Sequence, residues 1–422
     1  MESKIAFYPT VLALFGIFFA FIMMYLENLG ISKYLLDKAP VLVVDNGNTA
    51  MTMLSALISG LISVMVFSFS MVMLLLSQAS SNYSPRLLPG LISDKKHQII
   101  LGIYLSTILY NIFILFSIQP TGNKYQIPGF SVLVGIVGTV ICLYAFIFFI
   151  HNISQSIQIS NILKMIYTQS KNRLDEVIEK EGTHLAPFPN SEDWYEYQSE
   201  KSGYLQNISY TNMIDFSIEN DTQLHILPFK GNFILNGIPM FRSKIKLEKD
   251  QVDQILNNIS YAREELVEDN YILGFKQLTE IILKAMSPGI NDPGTAINAI
   301  DYLTELFALR MQKKDINIIR REDIPYIKVV TVDFKDLLYQ VMVAIRTYCK
   351  HDVTLNQKLL IMFHYLLQQE TYNKDYYKYI KNEASLLLAD AKEAISNTAD
   401  IERLCRLAEN FTFQINNAAE NE

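Results

Sequence analysis

The sequence predicts an α-helical transmembrane domain of four helices followed by an α+β soluble domain. Three features carry that expectation: four long apolar segments within the first 155 residues, a sharp rise in charge after them, and a glycine-punctuated strand region that gives way to helical periodicity. The 422 residues exceed what one compact core usually holds, so at least two structural units are expected. The averages of 50% hydrophobic and 19% charged residues conceal the division between the two parts.

The apolar segments run over 5–26, 51–77, 99–118 and 130–150, and none contains Asp, Glu, Lys, Arg or His. A hydrocarbon layer of about 30 Å takes about 20 helical residues. A spanning β-barrel would instead alternate apolar and polar positions. The first segment is longer than a typical signal core and has no small-x-small site before Glu27 and Asn28, so it reads as a retained helix. Orientation follows from the loops: 78–98 carries Arg86, Lys95, Lys96 and His97, whereas 119–129 carries only Lys124. By the positive-inside rule both termini and the C-terminal domain are expected in the cytoplasm. The loop 27–50, with Lys33 and Lys38 against Glu27, Asp37 and Asp45, is the least decisive.

Beyond the fourth span, Ile153, Ile157, Ile162, Met165 and Ile166 continue a helical period, giving a stalk and linker over 156–200. Residues 201–248 read as a small β subdomain. Short runs at 204–210, 223–228, 232–235 and 239–244 are separated by Gly203, Gly231 and Gly237, and the rhythm suggests a barrel-like or sandwich segment. It is similar to lipoyl-type hybrid barrels in shape only, since no modifiable lysine stands at a hairpin tip. A short helix at 213–219 lies among these runs. Residues 249–422 are expected to be mainly helical, with segments at 250–262, 271–286, 293–312, 334–349, 353–369, 374–396 and 398–416, and one strand at 327–332.

The formal net charge of -7 argues against a nucleic-acid partner, which clustered Lys and Arg would serve. Cys142, Cys349 and Cys405 are widely spaced, and the six histidines show no metal-binding pattern, so neither a metal nor a cofactor is expected. No nucleophile elbow, phosphate loop or kinase signature is present, and no catalytic residue is nominated. The acidic run Glu264, Glu265, Glu268 and Asp269 reads as a solvated face.

Three segments stand out. On the second span Thr52, Ser55, Ser59, Ser63, Ser70 and Ser77 fall within about 80° of one another at 100° per residue. Such a hydroxyl stripe marks either a close helix contact or the wall of a conduction path, packing being the commoner use of small residues. After that span, Ser84 and Pro85 suit the N-cap and first position of a helix, with Arg86 as a headgroup anchor. Later, Ser287, Pro288, Gly289, Asn291, Asp292 and Pro293 separate two helices. There Asp292 serves as N-cap and Pro293 as first residue, in preference to an anion site that Asp292 would repel.

Two of these segments carry a resemblance. The runs Ser80-Ser81-Asn82-Tyr83-Ser84-Pro85-Arg86 and Met286-Ser287-Pro288-Gly289-Ile290-Asn291-Asp292-Pro293 resemble those of the bacterial predicted-membrane-protein family known as domain of unknown function 2254. The likeness extends to Ser202-Gly203-Tyr204 and the turns between Gly231 and Pro239. Met286 replaces the family's usual leucine, and Gly294 a bulkier or hydroxyl residue. The resemblance implies an architecture, a place in the bacterial inner membrane, and no catalytic residues.

Two functions are compatible with these features. In one, the protein is a homo-oligomeric pore in the lipid bilayer, passing an ion along the hydroxyl stripe, with the soluble domain regulating or assembling it. In the other it is a membrane-anchored sensor or scaffold whose soluble domain binds a cytoplasmic protein. An active transporter is disfavoured because the spans lack charge.

Overall fold

The computed structural model describes residues 7–38, 44, 46–82, 95–118, 128–156, 158–179, 187–262 and 270–419, and the chain divides into two compact units, residues 1–161 and 162–422. The first unit contains α1 (Phe7–Asn28), α2 (Ile31–Lys38), α3 (Gly47–Asn82), α4 (Lys95–Ser117) and α5 (Gly129–Ser156). The four long helices have apolar windows of mean hydropathy 2.2 to 2.7, long and apolar enough to span a bilayer. All four extend past the apolar segments visible in the sequence on at least one side, and the amphipathic α2 occupies part of the loop expected at 27–50.

The unit's interior is built from one face of each long helix. Ala20, Met23, Leu54, Tyr110, Ile114 and Val132 form one buried cluster, while Leu61, Tyr104, Ile108, Cys142 and Phe149 form another. α1 approaches α4 closely because Gly16 lies against Ser106: a methyl group at Gly16 would stand 2.5 Å from the Ser106 carbonyl oxygen. The outward faces are apolar too. Phe15, Phe18, Phe67, Phe116, Tyr144 and Ile147 are each more than half exposed, an arrangement stable in lipid and costly in water.

The second unit holds α6 (Ile159–Glu179) in all but its first turn, followed by a mixed α and β body. Its strands are β1 (Tyr195–Gln198), β2 (Gly203–Ile208), β3 (Leu224–Ile226), β4 (Phe233–Ile234), β5 (Pro239–Ser243), β6 (Ile259–Ala262), β7 (Ile316–Arg321) and β8 (Ile324–Val330). They form two open sheets, with strand orders β1-β5-β3-β8-β7 and β4-β2-β6. The expected barrel-like segment therefore does not close into a barrel among the described residues. The larger sheet is antiparallel except where β3 runs parallel to β8, pairing Leu224 with Ile327. Between the sheets, α7 (Tyr210–Glu219) and α8 (Lys249–Leu256) contribute Met213, Phe216 and Ile255 to a core with Leu205, Leu224, Phe241 and Ile327.

Three strands lie where the sequence reading had none. β1 falls in the expected linker. β6 takes the end of the expected helix 250–262, because the chain turns at Asn257 and Asn258 and Ile259 then pairs with Ile208. β7 precedes β8 through a two-residue turn at Glu322 and Asp323, both with positive φ.

The helices α9 (Tyr271–Ala285), α10 (Pro293–Arg310), α11 (Phe334–Cys349), α12 (Val353–Leu367), α13 (Asp375–Ala394) and α14 (Thr398–Ala419) follow the expected segments closely. Phe275, Phe307, Phe334 and Tyr376 make successive ring contacts through their core with centroids 4.5 to 6.1 Å apart. α6 joins this body through Ser170, which is fully buried and fills the space a side chain at Gly274 of α9 would need. Tyr167 on α6 also donates to Glu305 of α10.

Candidate functional site

α3 has two opposite faces. Gly47, Ala50, Leu54, Leu61 and Ser68 are buried against the other long helices, whereas Thr52, Ser55, Ser59, Ser63, Ser70 and Ser77 are all exposed. At about 100° per residue the centres of these two sets lie roughly 160° apart. Among the described residues the hydroxyl stripe is therefore directed away from the other long helices of its own unit. Between Thr52 and Ser63 this outward face is made mostly of small residues, including Ala56 and the exposed Gly60, with Ile62 at its edge. Two of its hydroxyls bond back along the helix, Thr52 to the Asn48 carbonyl at 2.8 Å and Ser63 to the Ser59 carbonyl at 2.9 Å. Such back-bonding lets a hydroxyl face an apolar surrounding.

The interior of the first unit holds polar groups that the sequence reading did not single out. Glu27, at the end of α1, is buried; its Oε1 accepts from the Ser131 backbone N–H and hydroxyl, both at 2.8 Å, and its Oε2 accepts from the Ser32 hydroxyl at 2.6 Å. Ser32 in turn accepts from the Phe130 N–H at 2.9 Å. A carboxylate from one helix thus caps the N-terminus of another, where the helix dipole favours negative charge. Tyr110 donates to the Ser131 carbonyl at 2.9 Å. Asn111 is fully buried, and its amide has no hydrogen-bond partner among the described residues.

In the second unit Ser287, Pro288, Gly289, Asn291, Asp292 and Pro293 form the turn between α9 and α10. Ser287 accepts through its carbonyl from Ile290 and Asn291 at 3.0 and 2.9 Å, and Asn291 adopts a φ of 49°. Asp292 caps α10: one oxygen accepts from the Thr295 N–H at 3.1 Å, the other from the Thr295 hydroxyl at 2.6 Å. These bonds from Thr295 hold the Asp292 carboxyl below the usual carboxylate range. The turn is largely exposed, and a Cβ at Gly289 would meet nothing within 4 Å. Ser84, Pro85, Arg86 and the acidic run 264–269 lie outside the described residues.

Other reactive side chains are occupied by the fold. Burial pushes the Cys349 thiol up to about 12, with Asp352 adding to the effect, so it is a poor nucleophile. His225 has its Nδ1 2.8 Å from the Ser191 hydroxyl; burial, then Lys328 and Arg242, lower it to about 4. No group of three or more potential metal ligands occurs among the described residues.

Four helices long and apolar enough to span a bilayer, followed by a mixed soluble unit, define an integral membrane protein. Residues 2–365 match the family described as predicted membrane protein, domain of unknown function 2254, and the chain belongs to that family. It is similar to the uncharacterized protein Rv1290c of Mycobacterium tuberculosis, 24% identical over 267 residues that cover 60% of this chain and 51% of the relative. The uncharacterized protein Mb1321c of Mycobacterium bovis shows the same identity and coverage. The chain spans about half the length of the curated relatives it matches. No solved structure matches.

Proposed function

We propose that the protein is a homo-oligomer of the bacterial inner membrane in which copies of α3 surround an axis and their hydroxyl stripes line an uncharged polar pore. The observation that carries this reading is the exposure of all six stripe residues on the side of α3 opposite its packed seam. Hydroxyls on a spanning helix are better accommodated by water or by another helix than by lipid, and among the described residues of this unit no helix covers them. The cations near Lys95, Lys96 and Lys171 support a cytoplasmic position for the second unit, which would regulate or assemble the pore.

A second reading has its own support. Ser55, Ser59 and Ser63 repeat at every fourth position beside Ala56 and Gly60, the small-residue pattern that brings two membrane helices into close contact. On that reading the protein is an anchored oligomeric sensor or scaffold without conduction. Replacing Ser59 and Ser63 together by Leu separates the two, because neither side chain is needed to pack the protomer. A pore loses ion flux in liposomes and keeps its subunit number, whereas a packing seam loses subunits. Absence of conductance from assembled wild-type protein would count directly against the pore.

A further inference from the structure

In the second unit α11 and α13 lie side by side, and charged groups bridge their seam at successive levels. Near its start Lys335 stands 5.8 Å from the Tyr379 ring centroid, and at its end Lys350 lies 3.3 Å from Glu393. Between these levels is Arg346, 8% exposed, which reaches two carboxylates of α13. Its Nη1 donates to Asp390 Oδ2 at 2.7 Å, and its Nη2 stands 3.4 Å from Glu383 Oε2.

The two carboxylates are not equivalent. Glu383 and Asp390 are seven residues apart, two turns along one face of α13. The Asp390 side chain is 33% exposed and takes the short, charge-assisted bond. Glu383 is 5% exposed, and its Oε2 has no hydrogen-bond partner among the described residues. The buried Nε of Arg346 has none either. One guanidinium thus faces two acids, and it can neutralise only one of them. Under those conditions the more deeply buried acid favours its neutral form, because both desolvation and the neighbouring like charge oppose its ionisation.

The other helices packed against α13 leave that balance unchanged. On α12, Lys358 is bound to Asp301 at 2.5 Å and His364 meets Gln368 at 3.1 Å. On α14, Arg406 lies 3.9 Å from Glu402 of its own helix. Among the described residues the charged groups that act on Glu383 are Arg346 of α11 and Asp390 of α13. Burial, opposed by Arg346 and reinforced by Asp390, holds the Glu383 carboxyl above its ordinary value.

We propose that Glu383 is a proton-binding site, and that the seam between α11 and α13 is a joint that tightens when Glu383 takes up a proton and loosens when it releases one. Uptake removes one buried negative charge and leaves Arg346 to Asp390 alone. Release sets two carboxylates about one guanidinium. The exchange is of a single proton with water, and no other covalent bond is made or broken. Because the folded-state value of Glu383 lies above the unfolded one, the folded chain binds more protons between the two. The stabilisation is therefore complete below the ordinary carboxylate value and is lost as pH rises through the raised one. The joint belongs to the second unit alone and holds under either reading of α3.

The test is hydrogen–deuterium exchange of the full-length protein in detergent from about pH 5 to about pH 8, read on peptides of α11 and α13 and corrected for the intrinsic pH dependence of amide exchange. Glu383→Gln fixes the neutral form. Its protection should match the wild type at the acid end and exceed it at the alkaline end, by up to about tenfold for each unit separating the folded and unfolded values. Taking the ratio of variant to wild type at each pH cancels the titration of His225 and of other groups. Asp390→Asn is the second variant: it gives Arg346 to Glu383 alone, so the fall in protection should be smaller and should come at lower pH than in the wild type. It decides the matter even where Glu383→Gln does not fold. A ratio for Glu383→Gln that is constant across the pH range, or an Asp390→Asn profile identical to the wild type, would overturn the proposal.

Discussion

Replacing Glu27 tests whether a carboxylate at the end of one spanning helix holds the start of another. Glu27→Ala leaves three donors without their acceptor: the Ser131 N–H, the Ser131 hydroxyl and the Ser32 hydroxyl. The Ser32 hydroxyl is only half buried and can turn to another acceptor, so the two Ser131 donors dominate. At about 1–3 kcal/mol for each buried donor left unpaired, the expected loss is about 3 kcal/mol. Glu27→Gln retains one oxygen for Ser131 and should lose only about 1 kcal/mol.

Cys142 provides a local readout, because it is fully buried in α5 of the same unit. Its rate of thiol labelling in detergent, followed on the isolated peptide, reports the opening of that unit and ignores the second one. When opening and closing are fast relative to labelling, a loss of about 3 kcal/mol makes Cys142 react roughly a hundredfold faster in Glu27→Ala. Glu27→Gln should react no more than about tenfold faster. An alanine variant that labels at the wild-type rate, or a glutamine variant as fast as alanine, would refute the capping account.

Two further predictions concern the second unit. His225 has a folded-state value near 4 and an unfolded value near 6.5, so the unfolded chain binds more protons between them and stability falls as pH drops through that window. The loss amounts to about 3 kcal/mol at most and should vanish in His225→Gln; urea midpoints followed by Trp194 fluorescence check it, and an unchanged pH slope in the variant would disprove the assignment. Asp292→Ala should cost about 1 kcal/mol by uncapping α10, with Asp292→Asn restoring most of it, as read from urea midpoints at neutral pH. Because the folded-state value of Asp292 is lowered, its contribution is present above the ordinary carboxylate value and disappears as pH falls through the lowered one, and an Asp292→Ala penalty undiminished at the acid limit would contradict that.

The spanning helices were legible in the sequence because lipid imposes a length and a composition that few soluble segments share. So were α9 to α14, whose apolar positions recur with helical spacing. β7 was missed because its turn uses Glu322 and Asp323 at positive φ, where Asn-Gly or Asp-Gly gives the usual hairpin signal. β6 was missed because Asp250 to Ala262 keeps enough apolar periodicity to read as one helix, and only pairing with β2 separates its final residues. The Glu27 network was invisible for a different reason. In the sequence Glu27 is one acidic residue in a loop, and its principal partner Ser131 lies 104 positions away. The hydroxyl stripe was visible, but the direction it faces was not, since that depends on which side of α3 meets its neighbours.

The contact of Ser170 with Gly274 gives α6 the character of a notched rod. Moving α6 by one residue would shift it about 1.5 Å and turn it about 100°, carrying a larger side chain onto the bare backbone at Gly274. Sliding is therefore blocked, and tilting as one piece with α9 is the motion left to it.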